Sequence, residues 1–86
     1  MDYTIELTSR ALKDLSRLAK AVRVRIGNRV DALANDSRPR GSIKLSGSDD
    51  LFRIRVGDYR VIYSVDDEER IITIARVKHR RHVYRS

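Results

Sequence analysis

Three arginines in one stretch of the chain are spaced so that they could bind phosphate. Residues 51–65 (LFRIRVGDYRVIYSV) form two alternating runs around Gly57 and Asp58, and a two-residue turn that starts with glycine favours a type II′ hairpin. The resulting register puts Arg53, Arg55 and Arg60 on one face, with Arg55 directly opposite Arg60. Because like charges in that position destabilise a sheet, an anion lying across the face would relieve the repulsion. Guanidinium groups suit bidentate contacts to phosphate oxygens, so the hairpin predicts contact with a nucleic-acid backbone.

The C-terminal segment is a second concentration of positive charge. Residues 70–86 contain no acid, and their cationic or titratable side chains are Arg70, Arg76, Lys78, His79, Arg80, Arg81, His82 and Arg85. Strict alternation in the last strand groups Ile74 with Arg76 and Lys78 on one side, which would let the two cations extend the arginine face. The less specific alternatives are a solvated face whose arginines pair with acids such as Asp50, and a basic tail that contacts nucleic acid or an acidic protein.

Tyr84, His79 and His82 are the side chains of this segment that could move a proton. Neighbouring positive charges favour a phenolate and lower the pKa of a tyrosine, and histidine titrates near neutrality. Tyr84 could instead be a packing anchor that holds the tail. The chain has no cluster of His and carboxylates with the spacing of metal ligands and no glycine-rich phosphate loop, so no metal site is predicted.

Length and composition define the class of protein. The chain has 86 residues, 41% of them hydrophobic, and a net charge of +7, which predicts a single folded domain over residues 1–86 and excludes a disordered chain. The positive balance favours nucleic acid or an acidic protein as partner. Without cysteine there is no disulfide scaffold. Since neither a membrane-spanning apolar run nor a signal peptide is visible, no membrane contact and a cytoplasmic location are expected.

Hydrophobic periodicity places these side chains on a small set of elements. In order, these are a strand over 3–7, an N-cap at Thr8, two helices between 9 and 34 with a break near 20–21, a short strand over 43–45, the hairpin, an acidic turn over 66–69 and a strand over 70–79. The order predicts an α+β fold in which an N-terminal strand and two helices pack on one face of a mainly antiparallel four-stranded sheet (β-α-α-β-β-β). The arginine face is then expected to be the open face.

Taken together, these segments resemble the RelE/ParE superfamily of bacterial and archaeal toxins, and specifically its RelE branch. The resemblance covers nearly the whole chain, and its most specific parts are RIRVGDYRVIY at 53–63 and VKHRRHVYR at 77–85. It implies a RelE-like fold and the toxin of a type II toxin–antitoxin system, a ribosome-dependent endoribonuclease that cuts mRNA in the A site. It also implies a metal-independent enzyme without cofactors. The implied partners are the ribosome with its mRNA and a cognate antitoxin, through which the complex binds its own operator DNA.

The resemblance also assigns roles to individual residues. Arg53 and Arg55 match the basic pair that binds RNA phosphates in RelE-like toxins, where lysine is frequent at both positions. Arg60 matches the arginine of the next strand, Arg80 the catalytic arginine after the last strand, and Tyr84 the tyrosine near the end. The predicted site residues are, for catalysis, Arg60, His79, Arg80 and Tyr84, and, for RNA binding, Lys44, Arg53, Arg55, Arg76, Lys78 and Arg81.

The implied reaction is attack of a ribose 2′-OH on its adjacent 3′-phosphate, which yields a 2′,3′-cyclic phosphate and a free 5′-OH. Tyr84 or His79 would remove the 2′ proton. Arg60 and Arg80, with Arg81 as a near alternative to Arg80, would stabilise the charge of the transition state.

Two other functions are compatible with the same residues. A ParE-like toxin would inhibit a target such as DNA gyrase by binding, without nuclease chemistry. A non-catalytic basic domain would use the same arginines only as contacts, and its affinity for bare RNA would fall linearly in log salt.

Overall fold

The computed structural model describes residues 2–47 and 50–80. Its elements are β1 (Thr4–Leu7), α1 (Ser9–Ser16), α2 (Lys20–Leu33), β2 (Ile43–Lys44), β3 (Leu51–Val56), β4 (Tyr59–Asp66) and β5 (Ile71–His79). The strands form one sheet in the order β1-β5-β4-β3-β2, in which β1 and β5 are parallel and the other pairs antiparallel. The predicted α+β class is confirmed, but the sheet has five strands and is mixed, because the short β2 pairs with β3 and β1 lies parallel to β5.

The two helices form as their apolar spacing predicts. The hydroxyl of Thr8 caps α1 by accepting the backbone N–H of Ala11 at 3.1 Å, which satisfies a donor that the first turn leaves free. Between the helices, Arg17 and Leu18 donate back to carbonyls of α1, so the break falls just before the predicted position. Buried side chains at helical spacing face the sheet, namely Ala11, Ile26, Val30 and Leu33. Neither helix of the described chain has the length and apolar composition that crossing a membrane requires.

A β-bulge in β5 decides which of its side chains face the helices. The register between β4 and β5 shifts between Ile62 and Tyr63, which leaves Ala75 as an extra residue. Ile74 and Val77 are therefore both buried against the core, although strict alternation would put them on opposite faces. The predicted grouping of Ile74 with Lys78 on one side is wrong, because a bulge reverses the order of sides beyond it.

The segment between α2 and β2 closes one end of the core. The hydroxyl of Tyr63 donates to the carbonyl oxygen of Ser37 at 2.8 Å, and the Tyr63 ring stacks on Phe52 with centroids 5.9 Å apart. Arg38 lies over the Phe52 ring at 5.0 Å and pairs with Asp67 at 2.9 Å. This ion pair lies at an exposed end of the fold and fixes the loop over the aromatic pair.

The hairpin has the predicted register, with Arg55 opposite Arg60 and Val56 opposite Tyr59. Of the two turn residues, Gly57 has a positive φ of 61° and Asp58 has a negative one. This combination is that of a type II′ turn. The turn thereby fixes which side chains of β3 and β4 stand next to each other.

Gly57→Ala is expected to lower the free energy of unfolding by about 1–2 kcal/mol, because a side chain is strained at positive φ. A Cβ at this position would meet the Arg25 guanidinium at 3.4 Å, an ordinary contact, so the cost comes from the backbone. Urea denaturation measures it. Gly27→Ala, in α2 with nothing within 4 Å of a Cβ, is the control and should be neutral or stabilising. Equal stability of Gly57→Ala and wild type would contradict the turn assignment.

Candidate nucleic-acid interface

Cations from three neighbouring strands form a row on the sheet face that points away from the helices. Arg55 on β3 is directly opposite Arg60 on β4, and Arg60 is directly opposite Lys78 on β5. Directly opposed residues have Cβ atoms about 4.5–5.5 Å apart. We call Arg55, Arg60 and Lys78 the cation row. Its two cross-strand repulsions are unfavourable unless an anion lies between the side chains.

The centre of the cation row is buried. Arg60 is only 4% exposed, whereas Arg55 is exposed and Lys78 half-buried. The sequence correctly predicts the face of the sheet on which Arg60 lies. The prediction that Arg60 is open to solvent there is wrong. The reason is that β4 is the central strand, so its side chains are flanked on both sides. Because it is opposed by a cation on each neighbouring strand, this guanidinium is a candidate for binding an anion.

Arg53 continues the positive face along β3. It lies opposite Ile62 on β4 and opposite Ile43 on β2, and it is half-buried. Its Nε is buried and makes no hydrogen bond within the described part of the chain. A donor in this condition carries a desolvation cost that an anionic ligand would offset.

Arg80 directly follows β5 and lies beside the β3–β4 turn. Its backbone N–H donates to the carbonyl oxygen of Asp58 at 2.8 Å, and its guanidinium is 3.9 Å from the Asp58 carboxylate, with both side chains more than half exposed. An exposed ion pair of this length is weak. The backbone contact therefore fixes the position of Arg80, while its guanidinium can bind a ligand.

The structure separates His79 from Arg60. His79 is opposite Tyr59, whose ring packs against the core, and the two rings meet edge to face with centroids 5.2 Å apart. Both line a depression of about 420 Å³ beside α1. His79 thus lies on the helix side of the sheet, opposite to the cation row.

Lys44 and Arg76 are directed away from the cation row as well. Lys44 is opposite Phe52, a core side chain, so it lies on the helix side. Arg76 pairs in register with Ile62, but its guanidinium reaches Asp14 of α1, with Nε 2.9 Å from Oδ2. Arg76 and Lys78 of β5 were both predicted to extend the arginine face, but only Lys78 belongs to the cation row.

Predictions on Arg81, His82, Tyr84 and Arg85 fall outside the described residues. The roles of Tyr84 as general base and Arg81 as an alternative to Arg80 therefore stay predictions.

Asp14 is the residue that the sequence interpretation missed. It accepts hydrogen bonds from Arg76 Nε and Nη2 at 2.9 and 3.2 Å and from the backbone N–H of Val77 at 2.9 Å. Burial by itself raises the pKa of the Asp14 carboxyl, but these hydrogen bonds hold it below its usual range. The available signal was its position, since Asp14 is an acid three residues after the buried Ala11, on the sheet-facing side of α1.

The lowered pKa of Asp14 makes the stability of the fold depend on acidity. A carboxyl whose pKa is lower when folded stabilises the protein above its unfolded pKa, and this contribution is lost as the pH falls through the folded pKa. The contribution of Asp14 should therefore be constant above about pH 5 and be lost as the pH falls below the ordinary aspartate pKa of 3.8, as urea denaturation at each pH would show. Asp14→Asn should weaken this dependence more than Asp67→Asn, because the lowered pKa of Asp67 belongs to an exposed, screened pair. The same pH dependence in wild type and Asp14→Asn would contradict the assignment.

Known proteins with similar sequences are toxins. The family described as "ParE toxin of type II toxin-antitoxin system, parDE" matches residues 5–84. The putative toxin RelE1 of Methanocaldococcus jannaschii is 30% identical over all of this chain and 99% of its own length. The toxin RelG of Mycobacterium tuberculosis is 33% identical over 99% of both chains.

Solved structures show the same similarity in three dimensions. The archaeal RelE–RelB complex from Pyrococcus horikoshii OT3 contains a chain that is 39% identical, with a TM-score of 0.82 over 93% of this chain and 97% of that chain. A mutant of the E. coli toxin RelE in the free state is 27% identical, with a TM-score of 0.81 over 99% of this chain and 93% of that one. The likeness thus includes the strands that carry the cation row.

Proposed function

Because this chain belongs to the ParE toxin family of type II toxin–antitoxin systems, we propose that it acts as a RelE-like mRNA interferase, a ribosome-dependent endoribonuclease that cuts mRNA in the A site. The observation that carries the proposal is the cation row, in which Arg60, 4% exposed, stands between Arg55 and Lys78. An anion bound across the row would offset the repulsion between its opposed cations. An RNA phosphate has the charge and the oxygen geometry that the row can bind.

The proposed reaction is an intramolecular displacement at phosphorus. The 2′-OH of a ribose attacks its 3′-phosphate, the bond to the 5′ oxygen breaks, and a 2′,3′-cyclic phosphate forms. Arg60 binds the non-bridging oxygens and stabilises the charge that develops on them. Arg80 approaches the same phosphate from the side of the β3–β4 turn. Preorganised donors of this kind each contribute about 10²–10³ in rate.

Tyr84 is the general base of this proposal. His79 is disfavoured, because its ring packs on Tyr59 at the helix side, away from Arg60. The positive charges near Tyr84 in the sequence favour its phenolate form. The 2′ proton passes to this base, and the leaving 5′ oxygen takes a proton from solvent or from a neighbouring side chain.

The ribosome supplies orientation in this scheme. Arginine does not accept protons at neutral pH, so Arg55 and Arg60 stabilise charge without activating the nucleophile. Positioning of the 2′-OH in line with the leaving oxygen must then come from the bound mRNA, and orientation alone is worth several powers of ten in rate. The proposed chemistry uses side chains only and assigns no step to a metal ion.

A cognate antitoxin is the proposed protein partner. The relatives from Pyrococcus horikoshii and Mycobacterium tuberculosis were crystallised as a RelE–RelB complex and as the toxin–antitoxin complex RelBE2. With a net charge of +7 and a row of cations on one sheet face, this chain favours an acidic or amphipathic segment that covers the row. Coexpression with the product of a neighbouring small gene should give a stable complex that cleaves no mRNA, and a freely tolerated lone protein would contradict this.

Primer extension in a reconstituted translation system tests the proposed function. The protein is added to a defined mRNA with and without ribosomes, beside its Tyr84→Phe variant. Cuts at A-site codons that need ribosomes and are lost in the variant support the interferase. Intact mRNA with a folded protein overturns it.

A second candidate follows from the name of the matching family, ParE toxin, and is inhibition of DNA gyrase by binding. This function needs no general base, so toxicity would persist in Tyr84→Phe, and a supercoiling assay would show inhibition. A third outcome, steeply salt-dependent binding to bare RNA without cleavage or gyrase inhibition, would indicate a contact domain only.

A further inference from the structure

The C-terminal half of β5 is bordered by a helix where a strand would be expected. β1 pairs with β5 only as far as Leu7 opposite Ile74, and no other described strand lies on that side of residues 75–79. A side chain from the start of α1 takes the place of the missing strand, since the Thr8 hydroxyl donates to the carbonyl oxygen of Ala75 at 2.9 Å. The exposed edge of β5 is thereby bound to α1 at the bulge.

Asp14 makes the second and stronger attachment of this edge. Its Oδ2 accepts the backbone N–H of Val77 at 2.9 Å, the group that a neighbouring strand would use. The same carboxylate binds Arg76 through two guanidinium nitrogens, and the two side chains are 13% and 29% exposed. A half-buried, bidentate pair with an added backbone bond is more rigid than a surface ion pair.

The residue that follows this attachment is a member of the cation row. Lys78 must stand opposite Arg60 even though the two charges repel each other and push the end of β5 away from β4. The β4–β5 ladder, which continues to Tyr59 opposite His79, holds the two strands together against this repulsion. Outside the ladder, two contacts fix the end of β5, namely the Asp14 bond to Val77 on the α1 side and the bond from the Arg80 N–H to the Asp58 carbonyl at the turn. Only the first of these is made by a charged side chain.

We propose that Asp14 is a positioning residue of the site, which holds the bulged end of β5 against α1 so that Lys78 stays opposite Arg60. Asp14 lies on the helix side and touches no RNA; it acts through Val77 and the residue after it. The effect on cleavage rests on the proposed function, whereas the effect on β5 does not.

Asp14→Asn tests the proposal with little change in shape. Hydrogen exchange of the backbone amides of Val77 and Lys78, followed by NMR, should accelerate about tenfold, because a charge-assisted bond is lost. The kcat of ribosome-dependent cleavage should fall about tenfold or more, since a small misplacement of a phosphate-binding group is costly. Asp67→Asn is the matched control, because it breaks a short Asp–Arg pair at the Arg38 end, far from the cation row, and should change neither quantity.

A double-mutant cycle separates positioning from general stability. If Asp14 acts by placing Lys78, then Asp14→Asn should have little further effect on kcat in a Lys78→Ala background. The same fold-loss in both backgrounds would overturn the proposal. Arg76→Lys keeps the charge but removes the bidentate pair, and it provides a milder variant if Asp14→Asn does not fold.

The two proposals can fail separately. If wild-type protein cleaves no mRNA, the proposed function fails, and accelerated exchange in Asp14→Asn would still support the role of Asp14 in holding β5. If exchange at Val77 and Lys78 is unchanged in Asp14→Asn, the positioning role is overturned whatever the cleavage result.

Discussion

Arg60→Ala is expected to lower ribosome-dependent mRNA cleavage by about 10²–10³-fold, the loss that follows removal of one preorganised donor at a developing negative charge. Arg60 lies at the centre of the cation row and is 4% exposed, so no neighbouring side chain can take its place without repacking. Single-turnover kinetics on ribosome-bound mRNA measure the effect. Arg60→Lys should recover part of the rate, because it keeps the charge but loses the bidentate geometry.

The controls for this prediction address charge and folding. Arg29→Ala removes an exposed arginine of α2 on the helix side and should cleave at the wild-type rate. Circular dichroism and urea denaturation check that Arg60→Ala is folded, because only a folded variant can show a loss of chemistry. Cleavage by a folded Arg60→Ala variant within a few-fold of the wild-type rate would contradict the assigned role.

Tyr63→Ala is expected to cost about 3–5 kcal/mol of unfolding free energy, the usual cost of truncating a buried aromatic residue. Tyr63 is fully buried on the central strand and stacks on Phe52. Because small domains are stable by only about 5–15 kcal/mol, the variant should be close to unfolding at 37 °C. Urea denaturation monitored by circular dichroism provides the measurement.

Tyr63→Phe separates the ring from its hydroxyl. It removes the hydroxyl and its bond to the Ser37 carbonyl and should cost about 1 kcal/mol. Burial raises the pKa of Tyr63, so the neutral hydroxyl contributes its stability below the unfolded pKa and loses it as the pH rises through the folded pKa. A Tyr63→Ala variant with nearly wild-type stability would show that the loop near Ser37 does not close the core as described.

The hairpin could be predicted in detail from the sequence, since alternation and turn geometry are local. Gly57 fixes the turn and the turn fixes the register, so the opposition of Arg55 and Arg60 follows without knowledge of the rest of the fold. The depth of Arg60 does not follow, because alternation assigns a face but not the place of a strand within the sheet. That place depends on β5, which inserts between β1 and β4.

The contacts of β5 could not be predicted from the local sequence for a different reason. The extra residue of the bulge, Ala75, is of an ordinary type for a strand, so the sequence does not identify it. The bulge is recognised only from the pairing of β5 with β4. The contact between Arg76 and Asp14 joins residues 62 positions apart, so nothing in the neighbourhood of either residue reveals it. The role of Tyr84 was predicted from its basic neighbours in the sequence and from the family resemblance, and it lies outside the described residues.

The place of β5 in the sheet has a consequence for biosynthesis. β1, the first strand made, joins the sheet by pairing with β5, the last of the five, and such distant pairing makes folding wait for the whole intervening chain. A nascent chain that ends before β5 has Arg55 and Arg60 but lacks Lys78 and the neighbour that makes β4 a central strand. If the protein attacks translating ribosomes as proposed, the ribosome that synthesises it is exposed to a complete toxin only after β5 has left the exit tunnel.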